Sequence, residues 1–431
     1  MGTTKKPATA GIDRRTALLG AGSGVVAAAA SGLLTAAPAQ ASEHVPHPPG
    51  RAGSPFPRRD AFVTVRNGGF RLDGKPWRFG GTNCYYLHAV SHYMIDSLLD
   101  NAAQMRLQVV RAWAFYDDPT KPDAALQTAP GTYPEANYDS LDYAVYKAGQ
   151  LGLKLVLPLV NNWPDYGGMQ QYVKWVLGLP DDSYGDAVNH DRFYTDSRIR
   201  EVFLAYVEHV INRRNRYTGL KYKDDPTIMT WELANEPRNR SDKSGAAIAA
   251  WADDVSRRIR RWAPKQLVAL GDEGMGLDPS SSDYPYSTYE GDHWKDLTAL
   301  PAIDYGTFHS YPQNWGEAPD KGVDPVAWGE RWITDHAAAG KALGKPVVLE
   351  EFGLLVNATQ GVTTSTARDA AYERWLQAAE SSGLGGFQFW ILTALTDAGV
   401  LYEDYDGYRV VYPSSTATIM TKHAASIAAA A

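Results

Sequence analysis

Cysteine is almost absent. Cys84 stands alone in 431 residues, so no intramolecular disulfide can form, and a lone thiol reads as a small apolar side chain rather than a nucleophile. Excess positive charge is missing too. With 42 Lys and Arg against 49 Asp and Glu, the formal net charge is -7, which leaves no electrostatic footprint for nucleic acid or an anionic membrane surface. The 10 His are scattered, without the short paired spacings of a metal centre, so no metal is expected; no cofactor is expected either, since the chemistry read below requires none. No internal repeat or second domain is visible. What is plentiful is apolar and aromatic. A 44% hydrophobic content against 21% charged supports a large core, and 13 Trp and 25 Tyr, many near the ends of strand-like segments, suit a cleft that stacks on sugar rings.

Residues 1–41 read as an export leader. Arg14-Arg15 precede a weakly hydrophobic Ala, Gly and Leu run through Ala37, and Ala39-Gln40-Ala41 offers small residues at a cleavage spacing. The pattern resembles a twin-arginine signal. Ala, Gly, Ser and Thr dominate the run and Pro38 ends it, which argues against a retained anchor. Substrates of that route fold before export, as suits a protein with no disulfide. The expectation is a secreted, extracellular monomer, free of the membrane once the leader is removed. Residues 42–59 hold His, Pro, Gly and Arg in a linker-like mixture, and 60–431 are expected to form one folded domain. From Phe62, alternating residues around Asn67-Gly68 and Asp73-Gly74 predict a small hairpin with two turn signals, placed to close the bottom of a barrel.

Strand-like segments then recur eight times, at 77–86, 108–115, 154–163, 227–235, 266–272, 305–311, 346–352 and 386–392. Amphipathic stretches separate them at 93–105, 141–151, 197–213, 245–262, 326–343 and 366–381, with a short, weak crossover at 292–300 and a last helix at 416–430. This alternation predicts an α/β fold, the (β/α)8 TIM barrel, with an N-terminal β-hairpin and enlarged βα loops. A doubly wound sheet is the runner-up. It is disfavoured because no glycine-rich phosphate loop follows the first strand, and because polar residues gather at the C-terminal ends of many strands.

Those ends carry the chemistry. Thr230-Trp231-Glu232-Leu233-Ala234-Asn235-Glu236-Pro237-Arg238 turns from apolar strand into amide, carboxylate and arginine. Far downstream, Val347-Val348-Leu349-Glu350-Glu351-Phe352-Gly353 ends another buried run in acid. Two strand-end glutamates facing each other are what glycosidic bond cleavage needs. Pleating sends Glu350 and Glu351 to opposite sides, so only one is expected to face the cleft. Arg111, with Trp113 beside it, ends the second strand among apolar neighbours and is placed to hold a carboxylate ionised. His309 and Tyr311, two apart, share one face of theirs.

Trp-Glu-Leu-Ala-Asn-Glu-Pro-Arg resembles the acid/base signature of glycoside hydrolase family 5, and Val-Leu-Glu-Glu-Phe-Gly resembles its nucleophile strand. The loop Asn161-Asn162-Trp163-Pro164-Asp165-Tyr166-Gly167-Gly168 and His309-Ser310-Tyr311-Pro312 are similar to the endo-β-1,4-mannanase branch, of the secreted actinobacterial type. The resemblance implies Glu236 as acid/base, Glu351 as nucleophile, and Glu350 and Glu232 as supporting residues, Glu232 paired with an arginine such as Arg111. Asn235 would bond the sugar 2-hydroxyl and Trp390 would floor the reactive subsite. Arg111, Trp113, Asn162, Trp163, His309 and Tyr311 would complete the substrate site, with Trp113 and Trp163 stacking on neighbouring rings. The implied activity is retaining, endo-acting hydrolysis of mannan, glucomannan or galactomannan. A β-1,4-glucanase, an exo-β-mannosidase and a non-catalytic polysaccharide-binding barrel are the alternatives.

Overall fold

The structure, a computed structural model, describes residues 61–431. The proposed leader at 1–41 and linker at 42–59 lie outside the described residues.

Three short strands come first: β1 (Val63–Arg66), β2 (Gly69–Leu72) and β3 (Lys75–Pro76). They pair antiparallel, with Arg66 opposite Gly69 and Leu72 opposite Lys75. Each turn therefore has two residues, and Asn67, Gly68, Asp73 and Gly74 all have φ between 53° and 74°, the geometry of the tight hairpin turns that these residue pairs favour. The expected hairpin is thus a three-stranded sheet.

Eight parallel strands follow: β4 (Phe79–Asn83), β5 (Val109–Arg111), β6 (Lys154–Pro158), β7 (Ile228–Glu232), β8 (Leu267–Ala269), β9 (Gly306–Ser310), β10 (Val347–Phe352) and β11 (Gly386–Phe389). Their hydrogen-bonded order runs β8-β7-β6-β5-β4-β11-β10-β9. The seam between β8 and β9 is bridged where Asp304 N donates to Val268 O at 2.8 Å and His309 N to Glu273 O at 3.0 Å. The chain is a nearly closed (β/α)8 barrel. β6, β7 and β10 are buried along their whole length, as expected of strands covered by helices on one face and packed side chains on the other.

Several of the intervening helices begin at a side-chain cap or stop at glycine. Ser91 Oγ accepts from Met94 N at the start of His92–Gln104, Asp324 caps Pro325–Leu343 and Gly344 ends it at φ 69°. The weak crossover is a six-residue helix, Trp294–Ala299. Helices Met169–Leu177 and Arg192–Thr195, absent from the sequence-based reading, fill the long loop after β6. Strands are shorter than expected, although pairing continues past the end of β5: beyond Arg111, Ala112 and Ala114 still donate to Val156 O and Pro158 O at 3.0 Å.

At the strand starts, Val63, Phe70 and Leu72 of the small sheet pack with Phe79, Val109, Val156, Met229, Leu267, Tyr305 and Val348 in one buried cluster. The small sheet thereby caps the bottom of the barrel, and the long βα loops are left to build the opposite end.

Candidate active site

Arg111, at the end of β5, organises the open end of the barrel. Its guanidinium donates from Nε to Glu232 Oε2 (2.8 Å), from Nη1 to Glu351 Oε1 (2.6 Å) and Asn83 Oδ1 (3.2 Å), and from Nη2 to Asn235 Oδ1 (2.8 Å). One planar fork thus fixes groups from β4, β7 and β10 and Asn235 in the loop beyond β7. Asn235 donates in turn to Asn161 Oδ1 at 2.9 Å, which locks its amide plane.

Glu236 sits just past β7 at φ 52°, a left-handed conformation rare for a side chain of this kind and characteristic of working sites. The backbone bond from Glu236 N to Gly271 O (2.8 Å) holds it there. Gly271 has to be glycine. Its φ is +82°, and a Cβ would lie 1.8 Å from Ala234 O.

Glu236 and Glu351 have different partners. Trp163 Nε1 donates to Glu236 Oε2 at 2.6 Å, and His309 Nδ1 lies 2.9 Å from Glu236 Oε1. Glu351 takes the Arg111 guanidinium and, at Oε2, the Tyr311 hydroxyl at 2.9 Å, with His309 Nδ1 3.5 Å away. His309 therefore bridges the two carboxyl groups, an oxygen of each lying within 4.8 Å of the other. Burial pushes the Glu351 carboxyl above its ordinary value, against His309 and Arg111, which favour its charge. Burial disfavours the His309 cation as well, but Glu351, Glu236 and Glu350 outweigh it and raise the imidazole well above its ordinary value. Tyr311 is held as a neutral phenol, first by burial and then by Glu351.

A family model described as GH family 5 beta-mannosidase-like matches residues 60–401. The chain belongs to that family. It is 36% identical over 342 residues to mannan endo-1,4-β-mannosidase F of Aspergillus fumigatus, covering 77% of this chain and 70% of that one. With mannan endo-1,4-β-mannosidase A of Hypocrea jecorina it shares 35% identity over 379 residues, 86% of this chain and 78% of the other. Among solved structures, the endo-β-1,4-mannanase from Thermotoga petrophila superposes with a TM-score of 0.74 at 38% identity, covering 83% of this chain and 78% of that one.

Within this family 5 barrel, Arg111, Asn235, Glu236, His309, Tyr311 and Glu351 form one hydrogen-bonded constellation. Glu232 is buried on Arg111 as expected. The alternation expected of Glu350 and Glu351 fails. Glu350 Oε2 lies 3.6 Å from both Arg111 Nε and His309 Nε2, so both glutamates turn inward to the same cations. The cause is a register shift in the pairing of β9 with β10 between Leu349 and Glu351, which suspends strict pleating. The two tryptophans expected to stack on sugars are 5% exposed each. Trp163 carries Tyr184 stacked at 5.2 Å and the Arg238 guanidinium 5.0 Å from its ring centroid. Trp113 lies against Tyr85, Phe115 and Tyr166. Asn162 uses its side chain to accept from Arg238 N at 3.2 Å. Trp390 is half-buried, stacked on Tyr85 at 5.6 Å and donating from Nε1 to Asp406 Oδ2 at 2.6 Å.

Sequence reasoning missed Asn83, Tyr85, Asp406 and the ion cluster behind Glu236. There Arg238 meets Glu273 through two bonds of 2.6 and 2.9 Å and Glu290 at 3.2 Å. Asn83 and Glu273 are polar residues at strand ends and were findable on that ground. Glu290 and Asp406 lie in long loops, where no periodicity marks them.

Proposed function

We propose that this chain is a retaining, endo-acting glycoside hydrolase that cleaves internal β-1,4-mannosidic bonds of mannan, glucomannan or galactomannan. The observation that carries the reading is the pair of buried glutamates after β7 and on β10, with oxygens within 4.8 Å, in a chain aligned along most of its length with mannan endo-1,4-β-mannosidases. Retaining enzymes hold their carboxyl groups about 5–5.5 Å apart, inverting ones about 6.5–9.5 Å. Glu351, ionised on Arg111 and Tyr311, attacks the anomeric carbon while Glu236 delivers its proton to the departing glycosidic oxygen. Glu236 then takes a proton from water, whose oxygen displaces Glu351 and regenerates both groups. Arg111 and His309 balance the charge that moves between the two carboxyls. Asn235, with two of its four hydrogen-bonding positions engaged, keeps capacity for a sugar hydroxyl.

The test compares initial rates on mannohexaose and cellohexaose. A site built to pair a hydroxyl rejects the sugar that misplaces it, so the mannose oligomer is expected to be cleaved faster, to short oligosaccharides. Faster turnover of the glucose oligomer sinks the mannanase reading, and release of mannose alone from one end moves the enzyme to the exo-acting class.

The reading includes export as a monomer through the twin-arginine route, supported by Arg14-Arg15 and the Ala-rich run that follows. Among the described residues no helix is long and apolar enough to cross a membrane. N-terminal sequencing of the secreted protein should start at or near Ser42; Met1 retained there contradicts the leader.

A further inference from the structure

Two carboxyl groups in the barrel have no part in the reaction as drawn. Glu232 on β7 and Glu350 on β10 are both fully buried, and both approach the same nitrogen, Arg111 Nε, at 2.8 and 3.6 Å. Among the described residues no N–H comes within ordinary hydrogen-bond distance of Glu232 Oε1 or of either Glu350 oxygen, and the two carboxyl groups are neighbours of each other. The titratable groups around them are Arg111 from β5, Tyr305 just before β9, His309 from β9, and Glu351 from β10; Glu236 after β7 and Asp272 after β8 act on the same His309.

The charges do not close if every acid is ionised. Glu232, Glu350 and Glu351 would place three negative charges on one guanidinium and one imidazolium, with Glu236 adding a fourth before it is protonated. Two buried carboxylates in one pocket cannot both be charged at moderate cost, so one keeps its proton. Position separates them. Glu232 has one cation, Arg111, bonded at 2.8 Å to Oε2, which leaves its Oε1 as the oxygen able to carry a proton towards Glu350, whereas Glu350 Oε2 lies 3.6 Å from two cationic groups, Arg111 and His309.

We propose that Glu232 and Glu350 hold one proton between them beneath the nucleophile, neutral at Glu232 and charged at Glu350, and that the Glu350 charge sets the pH at which Glu351 ionises. Both are positioning residues that act through Arg111 and His309. The electrostatics run the same way: burial pushes Glu232 well up, whereas at Glu350 Arg111 and His309 overcome burial and hold the carboxyl below its ordinary value. The fixed charge on Glu350 competes with Glu351 for both cations. It thereby keeps the nucleophile from being over-stabilised as an anion, which would slow its attack.

The assignment rests on the retaining reading, in which the acid limb of kcat/KM reports the nucleophile. Glu350→Gln removes the competing charge, so the limb should move to lower pH by about one unit. Glu350→Asp, which keeps the charge, should restore it towards the wild-type position, and Glu232→Gln, which replaces a neutral acid by a neutral amide, should leave it within about a few tenths. A limb unmoved in Glu350→Gln, or moved as far in Glu232→Gln, overturns the proposal. A second readout needs no turnover: at neutral pH, the infrared difference between wild type and Glu232→Gln should contain the carbonyl band of a buried protonated acid. Its absence overturns the proposal even if the Glu350 variants fail to fold. Failure of the wild type to cleave mannohexaose would instead sink the retaining mannanase reading and leave the infrared result standing.

Discussion

Glu236 and Glu351 differ by what donates to them. Glu351 faces a guanidinium at 2.6 Å and a phenol at 2.9 Å, Glu236 an indole at 2.6 Å and the shared imidazole at 2.9 Å. The stronger, charge-assisted set belongs to Glu351, which fits the group that must be anionic first. Removing it should therefore abolish turnover of every substrate: Glu351→Ala should lower kcat by about 10⁴-fold or more on mannan and on an activated aryl mannobioside alike. Glu236→Ala should lose about 10²–10⁴-fold on mannan but stay within about tenfold of wild type for the glycosylation step with the activated leaving group, which needs no proton. Equal loss in both variants on the aryl substrate contradicts the division of labour. Because burial raises Glu351 above its ordinary 4.5, the acid limb should lie above that value, and activity should fall as pH drops through it and protonates the nucleophile.

Strand ends, not strand centres, decide how this site is assembled. β7 delivers Glu232 into the barrel and then Asn235 and Glu236 beyond its last paired residue; β10 delivers Glu350 and Glu351 across a register shift. The ion cluster after β8 buttresses the first of these. Glu290 is held down to about 2 against burial by Arg238 and Arg240, and a carboxylate with a lowered folded-state value stabilises the fold above its unfolded value and loses that contribution as pH falls. The stability gap between wild type and Glu290→Gln should thus be widest at neutral pH, on the order of 3 kcal/mol, and close between about pH 4.5 and 2. Chemical denaturation across that range measures it, and a gap independent of pH would mean Glu290 acts by packing alone. Glu236, Glu351, Arg111 and His309 were legible in the sequence because each ends a β-rich run at a change from apolar to polar, a local signal. The inward turn of both Glu350 and Glu351 was not, because it depends on how β10 registers against β9, where Glu351 pairs with His309 from a distant part of the chain. The burial of Trp113 and Trp163 depends likewise on Tyr85, Tyr166 and Tyr184 arriving from other loops. Eight alternating segments sufficed to specify the barrel, since period and chain order are written along the sequence and contacts between loops are not.

At the scale of the whole molecule, the barrel keeps stability and chemistry at opposite ends. The three-stranded sheet covers the strand starts, and Phe70, 2% exposed, is its anchor. Its ring lies 5.2 Å from Tyr305 and 5.8 Å from Phe79, both at 1% exposure, and 6.4 Å from Trp77. Truncating so enclosed an aromatic removes its burial and leaves a cavity that close-packed neighbours fill only in part, a cost of about 3–5 kcal/mol. The proposed catalytic groups hang from the opposite strand ends, where Arg111 is bonded to Glu351 and Asn235, and Glu236 to His309, rather than to the bottom layer. Phe70→Ala should therefore lower the denaturation midpoint by an amount corresponding to that cost, while kcat on mannohexaose, measured well below the new melting temperature, stays within about twofold of wild type. Activity that falls in step with stability at such a temperature would show that the strand-end geometry depends on the floor of the barrel, and that the separation of the two ends does not hold.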